Sequence, residues 1–243
     1  MTLSVARPAR APSEEAWRRH EPPGEPAAVE RPGISQHLNR LRDFSMRLRF
    51  QRNETIFSQG DAASHIYTIV TGCVRLCRHV PDGRRHIADF LFGGDIFGLG
   101  ESAINSLAAE AVGTVTLAAC PRSYFDRLGE GSTRVRSDLM AHLATRLMTA
   151  QQLLLVVSCQ NAKERLASFI VRMCERNNLY GNSLDLPMGR QDIADHLGLT
   201  IETICRAIAA LKRDGLIDVP NAHQLIVKNM EGLRTLAEGR RPF

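Results

Sequence analysis

The stretch LPMGRQDIADHLGLTIETICRAIAALKRDGLIDVPNAHQLIVKN, residues 186–229, allows few folds. RQDIADHL has Ile193, Ala194 and Leu197 at helical spacing, which makes one short helix with a single apolar side. Gly198 and Leu199 form the turn, since glycine takes the left-handed conformation that ends a helix. Thr200 is an N-cap for a second helix whose inner positions are Ile204, Ile208 and Leu211. Gly215 closes that helix, and LIDV and QLIVKN around Pro220-Asn221 read as a two-stranded wing. Helix, tight turn, helix and wing make a winged helix-turn-helix.

On the second helix Glu202, Arg206, Ala209 and Arg213 recur at +4, +3 and +4, one outward stripe. Base recognition in this geometry uses the N-terminal turns of the second helix, where Glu202, Thr203 and Arg206 fall. Arginine pairs bidentately with guanine O6 and N7, and glutamate accepts from a cytosine amine. The competing reading is a solvated face on which Glu202 braces Arg206 from four residues away. The complete motif around the pair favours base reading. From Leu186 onward there are eight Lys and Arg against seven Asp and Glu, a net of +1. Phosphate contacts are therefore a matter of placement, with Arg190, Lys212, Arg213 and Lys228 the candidates.

Upstream the texture divides the chain. Residues 1–33 hold six of the eleven prolines and read as a flexible arm; helical spacing begins near Gln36 with Leu38, Leu41 and Phe44. From Phe50 to Phe125 short β-type runs alternate with turns, among them a hairpin at Pro81-Asp82-Gly83 and breaks at Gly60, Gly72, Gly93 and Gly94. That pattern implies an antiparallel roll or barrel ending in a turn at Gly129–Gly131. Next comes RVRSDLMAHLATRLMTAQQLLLVVS, with Met140, Leu143, Leu147, Ala150, Leu154 and Val157 spaced alternately by three and four. This a/d seam calls for a partner helix, which a symmetric homodimer supplies; the competing reading is a helix packed on its own barrel. The expected architecture is α+β: an arm (1–33), an antiparallel β-roll (34–131), a long dimerisation helix (132–159) and a winged helix-turn-helix domain (160–243).

This order resembles the CRP/FNR superfamily of bacterial transcription regulators over about residues 36–230, most densely in the helix-turn-helix, where E-T-[IV]-x-R is specific to the family. The recognition helix is similar to the FNR/FixK branch, because Ile201 stands where the cAMP-responsive branch has a further base-reading arginine. The resemblance implies inverted TTGAT-like half-sites read by Glu202 and Arg206. It also implies activation of genes for microaerobic or anaerobic respiration or nitrogen fixation, with promoter DNA and RNA polymerase as partners.

GGDIFGLGESAINSLAAEAVGTVTLAAC resembles the family's nucleotide cassette, but Leu99 takes the place of its ribose-binding glutamate and Glu101 is two residues displaced. No Lys or Arg occurs from His86 through Pro121, and Glu110 would repel an anion, so no cyclic nucleotide is expected. The competing reading is a CRP-like regulator gated by a nucleotide or another small ligand. The arm has no cysteine, so the oxygen-sensing cluster of FNR itself is not carried over. Cys73 and Cys77 share a strand face but sit about 13 Å apart, too far for one tetrahedral metal. Cys77 with His79 lacks a third ligand, and His79 or His86 as a haem ligand has the same difficulty. No cofactor or metal is expected.

Six scattered cysteines fit reduced thiols in a cytoplasm. Cys120, Cys159 and Cys174 read as buried fillers. Cys205, beside Arg206 and near a helix N-terminus on the DNA side, is the candidate for redox regulation, the competing reading being a merely tolerated thiol. No apolar run approaches the ~20 residues that span a bilayer, and no nucleophile–base pair or phosphate loop points to an enzyme.

Overall fold

The computed structural model describes residues 45–99, 103–176 and 182–239. The arm, the helix expected near Gln36 and Glu101 lie outside the described residues. Two compact units divide between Thr145 and Arg146.

The first unit is a β-roll of two antiparallel sheets. Its strands are β1 (Met46–Phe50), β2 (Thr55–Phe57), β3 (His65–Thr71), β4 (Cys73–His79), β5 (Arg85–Phe92), β6 (Ile96–Phe97), β7 (Ala108–Ala111) and β8 (Val115–Pro121). One sheet runs β1-β8-β3-β6 and the other β2-β7-β4-β5. Period-two alternation sends Phe50, Ile69, Val74, Leu91, Val115 and Leu117 into one shared core. The hairpin between β4 and β5 turns at Gly83, whose φ of 86° suits a residue without Cβ.

Helices α1 (Arg122–Gly131) and α2 (Thr133–Cys159) follow. Gly129–Gly131 does not turn the chain as expected. The helix runs through Gly131, and Ser132, extended at φ −138° and ψ 113°, separates the two helices. Phe125 and Val135 join Ile66, Ile96 and Cys120 in a second apolar cluster, against which Leu99 also packs. Burial of both helix faces there outweighs the cost of glycine in a helix, about 1 kcal/mol per residue.

The second unit contains α3 (Ala162–Arg176), β9 (Ser183–Asp185), α4 (Arg190–Leu197), α5 (Ile201–Arg213), β10 (Ile217–Asn221), β11 (Gln224–Val227) and α6 (Met230–Ala237). Leu166, Phe169, Ile170 and Met173 of α3 are fully buried and pack against α5 and α6. Two elements lie beyond the sequence reading. The wing has three strands, β10-β11-β9, since Ser183–Asp185 pairs with β11 ahead of the helix-turn-helix. Helix α6 is capped by Asn229, whose side chain accepts from the Gly232 N–H at 2.8 Å, and it buries Leu233 and Leu236.

Candidate nucleic-acid interface

Backbone geometry fixes the α4–α5 turn. Gly198 sits at φ 64°, in the left-handed region, and the Leu199 N–H closes on the Ala194 carbonyl at 3.0 Å. Arg165 of α3 braces the same corner, donating to the Leu197 carbonyl at 3.0 Å and to that of Gln160 at 2.9 Å. At the start of α4, the buried Asp192 carboxylate accepts from the Gly189 N–H at 3.3 Å. The Thr200 hydroxyl caps α5 by accepting from the Thr203 N–H at 3.3 Å.

Helix α5 is sided as its spacing predicts, with one correction. Ile204, Ala207 and Leu211 are buried, whereas Ile208 is only half-buried, so the small Ala207 occupies the inner position assigned to it. Glu202, Arg206, Ala209 and Arg213 are exposed along one stripe. Arg206 is not braced by Glu202: its Nη2 donates to the Thr203 hydroxyl at 3.3 Å, and the Thr203 and Thr200 hydroxyls lie 3.1 Å apart. Thr200, Thr203 and Arg206 thus form a chain at +3 steps up the N-terminal turns. The spacing T-x-x-T-x-x-R carries that signal, which the sequence reading passed over. The Glu202 carboxyl titrates below its ordinary range because its own backbone N–H and the Thr200 hydroxyl donate to it, with Arg206 adding positive charge nearby.

The phosphate candidates differ in freedom. Arg190, at the first residue of α4, and Arg213 are exposed. Lys212 pairs with Asp218 at the start of the wing, Nζ to Oδ1 at 3.1 Å. Lys228 is exposed at the end of β11, while its backbone N–H ties back to the Leu216 carbonyl at 2.9 Å. Cys205 is half-buried beside the stripe, and Arg190 Nη1 approaches its Sγ to 3.5 Å. Arg190, fifteen residues away, is therefore the cation in contact with this thiol.

Along α2, Met140 and Leu143 in the first unit and Leu147, Ala150 and Leu154 in the second are exposed in the single chain; Val157 is half-buried. Leu147 and Leu154 keep 59% and 68% of their surface open to solvent. Met148 and Leu155, seven residues apart, are exposed to the same degree and widen the apolar stripe beyond the a/d positions.

In the roll, Cys73 and Cys77 are buried and His86 is exposed. Glu110 is not a free negative charge: Oε2 accepts from Arg75 Nε at 2.8 Å and Oε1 faces His79 Nε2 at 2.9 Å. Burial raises its pKa, but hydrogen bonds from His79 and Arg75 overcome that and hold it below the ordinary range. Cys120 and Cys174 are buried fillers, their thiols pushed up to about 11 by desolvation. Cys159 departs from its expectation. It is exposed at the end of α2, so two thiols among the described residues, Cys159 and Cys205, are open to solvent.

A capped helix of exposed polar side chains, set on a glycine turn and flanked by a wing, defines a winged helix-turn-helix DNA-binding unit. Residues 164–236 match the model of the Crp-like helix-turn-helix domain, and residues 47–132 that of the cyclic nucleotide-binding domain. The nitrogen fixation regulation protein FixK of Rhizobium meliloti is 40% identical over 188 residues, covering 77% of this chain and 85% of that protein. The transcriptional activatory protein AadR of Rhodopseudomonas palustris is 35% identical, covering 76% and 78%. The structure of FixK2 from Bradyrhizobium japonicum superposes with a TM-score of 0.76 at 33% identity, covering 79% of this chain and 96% of that one. The chain belongs to the CRP/FNR superfamily of transcription regulators, in its FixK-like branch. No helix among the described residues is long and apolar enough to cross a membrane.

Proposed function

We propose that this regulator binds inverted TTGAT-like half-sites as a homodimer, with Glu202, Thr203 and Arg206 at the base edges. The exposed Glu202–Arg206 stripe, with Arg206 tethered by Thr203, carries this reading. Glu202 and Arg206 contact the G·C pair of each half-site, and Thr203 both lies within base reach and aims the guanidinium. Arg190, Arg213, Lys228 and, after exchange from Asp218, Lys212 take phosphates. Met140, Leu143, Leu147, Ala150, Leu154 and Val157 join the two copies, placing the recognition helices in successive major grooves about 34 Å apart. On this reading residues 34–131 serve as the roll, 132–159 as the dimer helix and 160–243 as the DNA-binding domain.

The relatives named for nitrogen fixation and for activation support a role as an activator of nitrogen-fixation genes; action with RNA polymerase and control of microaerobic and anaerobic respiration genes belong to the same proposal. The deciding experiment is a mobility-shift assay with Arg206→Ala. Preference for the TTGAT-like repeat should vanish while weak, salt-sensitive binding stays. Unchanged preference would remove base reading from this helix.

Oxidation of Cys205 is the brake. A sulfinate or sulfonate at this position brings negative charge against the DNA backbone and captures Arg190, 3.5 Å away, as an ion-pair partner. Peroxide should abolish operator binding by the wild type and by Cys159→Ser, while Cys205→Ser keeps it. Equal loss in Cys205→Ser would transfer the effect to another thiol or dismiss it.

A further inference from the structure

Three ligand-type side chains meet on the face of the sheet β2-β7-β4-β5 opposite Val74 and Leu76. Val74 and Leu76 of β4 face the core, so Cys77 and His79, at the alternate positions, share the opposite face. Glu110 reaches them from the neighbouring strand, because β7 pairs antiparallel with β4 in the register Arg75↔Glu110 and Cys77↔Ala108. Cys77 Sγ lies 3.6 Å from His79 Nε2, and His79 Nε2 lies 2.9 Å from Glu110 Oε1. All three donor atoms fall within 4.8 Å of one another.

We propose that Cys77 Sγ, His79 Nε2 and Glu110 Oε1 bind one divalent transition-metal ion of the zinc type. One sulfur, one imidazole nitrogen and one carboxylate oxygen suit zinc, cobalt, nickel or ferrous iron and exclude magnesium and calcium, which take oxygen ligands. Bonds of about 2.0–2.3 Å in a tetrahedron separate ligand atoms by roughly 3.3–3.8 Å. The cysteine–histidine spacing already lies in that range. The histidine–glutamate spacing must open by about half an ångström, and the His79 side chain, 55% exposed, has the freedom to do so.

The surroundings orient the carboxylate. Arg75 donates from Nε at 2.8 Å and from Nη2 at 2.6 Å to Glu110 Oε2, with Arg85 Nη1 at 3.8 Å, which leaves Oε1 directed at the cluster. Such an outer hydrogen bond is how metal-binding carboxylates are commonly held. Coordination exchanges the thiol proton for the metal and uses the Nε2 lone pair, so the imidazole keeps its proton on Nδ1; no electron moves. The thiolate brings one full negative charge to the +2 ion, and the carboxylate brings a second that it shares with Arg75. His79 is the exposed member of the three, and solvent or an added donor reaching the ion from that side would complete the tetrahedron.

The test uses full-length, reduced, metal-stripped protein titrated with Co(II) in the absence of air. The expected result is saturation near one equivalent per chain, with visible bands of tetrahedral cobalt, a near-ultraviolet thiolate-to-cobalt band, and bleaching by Zn(II). His79→Ala, at an exposed position that leaves the fold intact by circular dichroism, should lose saturation. Cys77→Ser should lose the thiolate band, and the double variant Cys159→Ser/Cys205→Ser should keep every feature. No saturable spectrum, or one that survives His79→Ala and Cys77→Ser, or one that disappears only in the double variant, would overturn the site.

Discussion

Arg75 of the roll and Arg206 of the helix-turn-helix carry the same guanidinium in opposite settings. Arg75 is 5% exposed and is held by Glu110, itself 8% exposed, with Asn53 accepting a further bond at 3.1 Å. Arg206 is exposed, and its hydrogen bond is to Thr203 of its own helix. A buried, neutralised charge is bound to the protein's own fold, and its removal shows as lost stability. An exposed charge steadied by a short neighbour contributes little to folding, and its value lies in what it meets outside. The same contrast separates Cys174, sealed and inert, from Cys205, half-open beside Arg190.

The largest effect should break the roll alone. Glu110→Gln leaves Arg75 buried without a counter-charge and should cost about 3–5 kcal/mol of stability, measured by denaturant unfolding. The pH dependence has a definite sign. Because the folded carboxylate titrates below its ordinary value of 4.5, its contribution is complete above that value and is lost as pH falls through the lower folded pKa. The wild type should therefore lose stability on acidification below about pH 4.5, and Glu110→Gln should lose less over the same range.

Arg206→Ala should do the reverse, leaving the melting midpoint unchanged and removing about 1–3 kcal/mol of base discrimination per half-site. If it destabilised the fold as Glu110→Gln does, the contrast between the two arginines would fail. Thr200→Ala falls between these cases: loss of the cap should cost about 1 kcal/mol of stability and also reduce operator affinity by loosening Thr203. The smallest effect belongs to Lys163→Ala, which removes an exposed ion pair with Asp214 and should change stability by no more than about 1 kcal/mol without altering DNA preference.

The two units were also unequally legible. In the helix-turn-helix the Gly198 turn, the Thr200 cap and the exposed Glu202/Arg206 stripe rest on neighbours within four residues, so local spacing reveals them, although it misplaced Ile208. Where the sequence misled, the deciding contact is distant. Strand β7, Ala108–Ala111, has alanine at three of its four positions and neither β-branched nor aromatic residues; pairing with β2 and β4 makes it a strand. Glu110 looked like a free anion because Arg75, thirty-five residues away, becomes its partner only through strand register. That register also supplies the third ligand that Cys77 and His79 lacked. Ser183–Asp185 joined the wing, and Arg190 reached Cys205, by the same kind of non-local closure. Cys159 lies near the end of a long helix, where spacing does not fix which face is covered.

The central claim is that α5 reads bases, and selection from random double-stranded DNA by the reduced full-length protein tests it most directly. Wild type should enrich inverted TTGAT-like half-sites whose centres lie about one helical turn apart, and Arg206→Ala should enrich no such repeat. Enrichment of the same repeat by both proteins, or of no motif by either, would contradict the account.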